Sequence, residues 1–161
     1  MKTIYLMRHG KSKRGPQYET DFERPLAKRG KRDAVRMGEY LVERDCVPDV
    51  IFSSPAERAQ DTALRCAEAA GYEGELRLVN NLYLAGDDVY LELAWSLDDT
   101  VGAVMFVGHN PTTESVIESL TRRYVRMPTA ALARIDFAVD RWMDIDDGEG
   151  KLTWVQLPRD L

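Results

Sequence analysis

Only two histidines occur in 161 residues, and both stand where an apolar run stops. His9 follows "TIYLM" and Arg8 in "LMRHG" (6–10), and His109 follows "AVMFV" in "VGHNP" (107–111). A lone histidine at a strand end is ordinarily a solvated structural residue. Two of them, each at the end of a strand-like run and one beside an arginine, point instead to an anion pocket. Arg8 and Arg58 carry planar forks of N–H donors that match phosphate oxygens. The segment from Pro111 reads as a helix whose first N–H groups and positive dipole end favour an anion. Cations nearby keep a histidine neutral, with a ring-nitrogen lone pair free to attack phosphorus. Gly10, Lys11, Ser12 and Asn110 flank the two histidines and are the expected further substrate contacts. Lys13 and Arg14 follow them toward the pocket mouth.

Other chemistries fit less well. No carboxylate or cysteine lies at a short helical spacing from either histidine, and neighbouring arginines repel a cation, so no zinc site is expected. Neither GxxxxGK[ST] nor GxGxxG occurs, which removes the common nucleotide loops. No metal is therefore expected.

The elements that must position these residues alternate along the chain. Strands are expected at 3–7, 49–52, 76–79 and 103–107. Helices are expected at about 26–44, 54–71, 87–97 and 111–124, with a loop over 15–25. The helix at 26–44 places Ala34, Val35, Gly38, Leu41 and Val42 on one face. The helix at 54–71 carries an S-x-x-E capping box, Ser54 to Glu57, with Pro55 in its first turn and Gly71 to stop it. The alternating run 131–139 and the run 152–157 are expected to pair across the "DDGEG" turn (146–150). Such alternation implies a mainly parallel sheet covered by helices on both faces, with ligands beyond the carboxyl ends of the strands. "RHG", the "SSP" turn before Arg58, and "GHN" are three strand exits that would meet at one sheet edge.

Composition bounds the partners. The length suits one domain spanning 1–161, and 30% charged residues without low-complexity tracts suit a globular protein. The apolar run before Arg8 is too short for a signal peptide or a membrane span, so a cytoplasmic, non-membrane protein is expected. Residues 1–36 hold 11 Lys/Arg and 4 Asp/Glu, whereas the rest holds 11 and 23, for a net charge of −5. An acidic body with a basic N-terminal segment does not suit a general nucleic-acid binder and does suit a local anion site. Lys28, Arg29, Lys31 and Arg32 also read as a solvated helix face. Cys46 and Cys66 lack CxxC spacing and read as buried thiols. Trp95, Trp142 and Trp154 read as core or rim residues.

"LMRHGKS", "SSPAERAQDTA" and "VGHNP", in that order, resemble the motifs of the histidine phosphatase (phosphoglycerate-mutase-like) superfamily. Together with "DFERPLAKRGKRDA", "PTAAL" and the chain length, they resemble most closely its SixA-type phosphohistidine phosphatases. The resemblance implies an α/β fold, a three-layer α/β/α sandwich with a mainly parallel central sheet. It implies that His9 is the nucleophile that takes the phosphoryl group. Arg8 and Arg58 would bind its oxygens, and His109 would donate a hydrogen bond to it. Water would then release inorganic phosphate, with no cofactor, and a monomer is expected.

Two departures bear on substrate. Many relatives carry an asparagine shortly after RHG, and "KSKRGPQYE" has none. Relatives that act on phosphate esters usually carry a glutamate after the third strand, but "LRLVNNLYLAG" (76–86) holds no carboxylate. Asp87 or Asp88 could supply the acid, although "GDD" reads more simply as a helix N-cap. An alkoxide leaves poorly without an acid, whereas the imidazole of a phosphohistidine leaves well when protonated. The expected substrate is therefore a phosphohistidine-bearing protein. The alternatives are a phosphomonoesterase or mutase for a small metabolite, and a phosphate-binding module without turnover.

Overall fold

The computed structural model describes residues 1–84 and 86–161. Its centre is a six-stranded sheet in the order β3-β2-β4-β1-β5-β6. The strands are β1 Lys2–Arg8, β2 Val50–Ser53, β3 Leu76–Leu78, β4 Ala103–Gly108, β5 Leu132–Phe137 and β6 Lys151–Gln156. The helices are α1 Lys28–Glu43, α2 Glu57–Ala69, α3 Asn81–Leu84, α4 Asp88–Trp95 and α5 Thr112–Thr121. β1, β2, β3 and β4 pair in parallel, and β5 and β6 extend the β1 edge antiparallel. This is the expected α/β fold with a mainly parallel sheet.

β1 is apolar on both faces because both are covered. Ile4 and Leu6 join a core with Val116, Ile117 and Leu120 of α5 and Tyr90 and Ala94 of α4. Tyr5 and Met7 face the other way, onto Met37 and Leu41 of α1 and Ala59, Ala63 and Cys66 of α2. One strand thus serves two cores, which makes the three layers. Ala133, Ile135 and Phe137 of β5 join the α4/α5 side, as their alternation predicts. Cys46 and Cys66 are buried and unpaired, and Trp142 is buried. Among the described residues no helix is long and apolar enough to cross a membrane.

The boundaries differ from the sequence reading where tertiary contacts intervene. The helix expected from 54 begins at Glu57, with Ala56 at its N-cap and no side-chain cap bond. Ser54 Oγ accepts the Ala56 N–H at 3.2 Å and is held by His109, so the capping box does not form. α5 ends at Thr121, where Arg122 turns left-handed. Val42 is exposed despite its position in the helical pattern, because α1 buries Ala34, Met37, Gly38 and Leu41 instead, Gly38 against Cys66 and Ala69 of α2. The loop over 15–25 contains a 3-10 turn at Asp21–Glu23, and α3 was not foreseen.

Candidate active site

β2, β4 and β1 are neighbours in the sheet and parallel, so their carboxyl ends coincide. Arg8 pairs in register with Gly108, and Ser53 with Val107. The next residue of each strand is therefore His9, His109 or Ser54, and all three are buried at one edge. Backbone bonds fix this meeting: His9 N–H donates to Gly108 O at 3.0 Å and Ser54 N–H to Val107 O at 3.0 Å. The histidine ring centroids lie 5.1 Å apart.

His9 has a defined tautomer. Its Nδ1 is 2.7 Å from the Gly10 carbonyl, which can only accept, so the proton sits on Nδ1 and the lone pair on Nε2. That lone pair faces Arg58 Nε, 3.4 Å away. Burial above all drops the His9 pKa from 6.5 to about 3, and His109, Arg58 and Arg8 add repulsion against the Gly10 bond. The histidine is neutral as expected, although desolvation outweighs the neighbouring cations as the cause.

Arg58, second residue of α2, is the hub. Its Nη2 lies 3.4 Å from His109 Nδ1 and donates to Asp21 Oδ2 at 2.8 Å, while Nη1 donates to the Asp21 carbonyl at 2.7 Å. Asp21 also accepts from Arg24 Nη2 at 2.9 Å and from the Tyr83 hydroxyl at 2.8 Å. Burial pushes the Asp21 pKa up, but the bonds from Tyr83, Arg58 and Arg24 outweigh it and hold the carboxyl far below its usual range. The Tyr83 ring stands edge-on to His109, with centroids 5.6 Å apart. His109 Nε2 is 2.8 Å from Ser54 Oγ. Burial first, then Arg58, lowers its pKa from 6.5 to about 4, Asp21 opposing.

Arg8 lies to one side of this cluster. Its Nη1 donates to Met127 O at 3.1 Å, and Asn110 Nδ2 donates to the same carbonyl at 2.9 Å. Arg8 Nε and Asn110 Oδ1 are buried without a partner among the described residues. Arg8, Asn110 and Lys11 line one cavity of about 560 Å³.

Gly10 serves packing. Its N–H donates to Thr62 Oγ1 at 3.0 Å, and a Cβ there would lie 2.9 Å from Gly30 Cα. A Cβ on Gly30 would lie 2.2 Å from Lys11 O, which accepts the Ala27 N–H at 2.8 Å. Two glycines thus let the start of α1 press on the segment after His9. Ser12 Oγ accepts from Arg24 Nη1 at 2.8 Å and is committed to the loop.

The structure brings His9, Arg58 and His109 together, places Arg8 and Asn110 beside them, and leaves Lys11 exposed at the rim. Asp87 makes no cap bond; its carboxylate accepts from Ser115 and Ser119 of α5. Asp88 is exposed on the α4/α5 side, and among the described residues no contact ties either aspartate to the histidines. Asp21, Arg24, Tyr83 and Ser54 were not foreseen as site residues. The one local signal was the i,i+3 spacing of Asp21 and Arg24, which form an ion pair. Among the described residues no three His, Cys, Asp or Glu side chains converge as a metal ligand set.

Residues 4–82 match the family model described as the histidine phosphatase superfamily (branch 1). An uncharacterized protein of Mycobacterium leprae is 31% identical over 168 aligned positions, covering 95% of this chain and all of the relative. A crystal structure from Agrobacterium tumefaciens, provisionally assigned as the phosphohistidine phosphatase SixA, superposes with a TM-score of 0.84 at 27% identity, covering 98% of both chains. The mycobacterial glucosyl-3-phosphoglycerate phosphatase superposes with a TM-score of 0.68 at 16% identity, covering 94% of this chain and 97% of its own, a likeness of fold alone.

Proposed function

The chain belongs to the histidine phosphatase superfamily, and we propose that within it the protein hydrolyses the N–P bond of a phosphohistidine carried by another protein. The observation that supports this most is the state of His9 and of the carboxylate bonded to Arg58. His9 is neutral with its Nε2 lone pair toward Arg58, and Asp21, among the described residues the one carboxylate bonded to the cluster, is held ionised. An ionised carboxylate accepts protons and hydrogen bonds and gives none. Among the described residues the site therefore has a nucleophile and cations without a protonated carboxyl poised for an alkoxide, which suits a nitrogen leaving group.

In the proposed reaction His9 Nε2 attacks phosphorus and forms a new N–P bond. The substrate's N–P bond breaks, and its electron pair stays on the imidazole, which leaves neutral when it entered protonated. Arg58 and Arg8 hold the phosphoryl oxygens, and His109 donates Nδ1–H to one of them when the Ser54 hydroxyl donates to Nε2. Asn110 and Lys11 lie at the side of the pocket that Arg8 lines. Water then attacks the phosphorus on His9, the N–P bond breaks back to Nε2, and inorganic phosphate leaves with the water's oxygen.

The test is turnover by the purified protein of a protein-borne phosphohistidine against an aryl phosphate and a sugar phosphate, with and without chelator. A strong preference for phosphohistidine, unchanged by chelator, is expected. Preference for the sugar phosphate would place the protein with metabolite phosphatases, and inactivity on all three would make it a binding module. Loss on chelation restored by zinc would overturn the metal-free chemistry.

A further inference from the structure

The cavity that Arg8 and Asn110 line adjoins the histidine cluster through these two residues and runs away from it. It shares Arg29, Pro128 and Thr129 with a second cavity, of about 260 Å³, which runs on to Arg36, Pro158 and Arg159. The first also takes cations from Lys11 and Arg126, and the second from Arg32. Among the described residues only two carboxylates, Glu114 and Asp33, stand in these walls, and each already faces a partner. Glu114 accepts the Met127 N–H at 2.7 Å, and Asp33 is buried with Arg32 Nε 3.8 Å away. Lys11, Arg29, Arg126 and Arg159 are exposed, and among the described residues their side chains form no ion pair or hydrogen bond. On a chain of net charge −5, this is a concentration of unanswered positive charge. A folded protein ordinarily intersperses its signs, because clustered like charges repel.

The groove is also fastened to the catalytic strand. Ala130 N–H reaches the His9 and Arg8 carbonyls at 3.0 and 3.1 Å, and Arg8 and Asn110 both hold Met127 O. Its wall at Met127–Ala130 is thus a fixed extension of the pocket.

We propose that this groove docks the acidic surface of the protein whose phosphohistidine is presented to His9. The proposal rests on the phosphohistidine reading for its choice of partner. A phosphoryl group at Arg8 and Arg58 leaves the groove free for chain on either side of the modified residue. Carboxylates there meet Arg29, Arg126 and Arg159. Complementary charge of this kind raises the association rate and falls away with salt.

Two synthetic peptides of equal length, each with one phosphohistidine, test the proposal, one flanked by glutamates and the other by lysines. At low salt the acidic peptide is expected to show kcat/KM at least about 10-fold higher, the advantage shrinking toward unity near 0.5 M salt. The double variant Arg126→Glu, Arg159→Glu is expected to abolish that advantage while leaving turnover of free phosphoramidate unchanged. Binding of the unphosphorylated acidic peptide, read by fluorescence anisotropy, reports docking separately. If neither peptide is hydrolysed but the acidic one binds and the variant loses it, docking stands and the phosphohistidine reading fails. Equal kcat/KM for the two peptides, or an advantage the variant keeps, would overturn docking. So would tighter binding of a single-stranded oligonucleotide, or self-association that the variant abolishes and that alone accounts for the salt effect.

Discussion

Replacing Arg58 with lysine keeps the charge and removes the fork. In the resting site Arg58 turns Nε to the His9 lone pair, Nη2 to the Asp21 carboxylate with His109 Nδ1 3.4 Å away, and Nη1 to the Asp21 carbonyl. A single ammonium on a flexible stem cannot span those three directions. At least one charge-assisted bond to the transferring phosphoryl group is then lost, worth about 1.5–3 kcal/mol. At 1.36 kcal/mol per factor of ten, kcat/KM falls roughly 10- to 160-fold. Arg58→Ala removes every donor, and a loss of about 10³-fold or more is expected, at or above the upper end of the roughly 10²–10³ that one deleted oxyanion donor costs. The assay is steady-state hydrolysis of phosphoramidate by wild type and both variants, with thermal unfolding to confirm folding. Folded Arg58→Lys within about 3-fold of wild type would refute the clamp, since it would mean that less than about 1 kcal/mol depends on the fork.

Stability should depend on the two buried histidines. Their folded pKa values, about 3 and about 4, lie below 6.5, so between these limits the unfolded chain binds more protons and stability rises with pH. From pH 6.5 down to 5.5, where carboxylates are still almost fully ionised, denaturant unfolding should show a loss steepening toward about 1.4 kcal/mol per pH unit per histidine. His9→Asn and His109→Asn should each flatten that slope, and an unchanged slope would remove the buried-neutral assignment. Gly30→Ala should cost about 1–3 kcal/mol and lower turnover, because its Cβ would sit 2.2 Å from Lys11 O behind the nucleophile. A loss under about 0.5 kcal/mol would show that the backbone there yields freely.

How much of this was legible in the chain follows from what each residue depends on. The three strand exits could be read because apolar runs, a Pro-containing turn and helix starts are local signals, and they carried His9, Arg58 and His109 to one edge. Asp21 could not be read in that way. Its carboxylate is positioned by Arg58, 37 residues away, and by Tyr83, 62 away, from a single 3-10 turn in a loop. Tyr83 sits in a four-residue helix whose place is set by the core contact of Leu82. Ser54 misled because S-x-x-E is a genuine capping signal, yet His109, 55 residues on, competes for the same hydroxyl. The basic groove was divided in the sequence between a solvated helix face and distant arginines, and only the fold joins Arg29 and Arg126 in one cavity wall.

The most direct test of the chemistry is capture of the intermediate. Wild-type protein mixed briefly with isotopically labelled phosphoramidate and quenched under denaturing alkaline conditions should carry an acid-labile, alkali-stable phosphoryl group on His9. His9→Ala should carry none. Label of equal amount in His9→Ala, or an active wild type that never becomes labelled, would contradict a phosphoryl transfer through His9 Nε2.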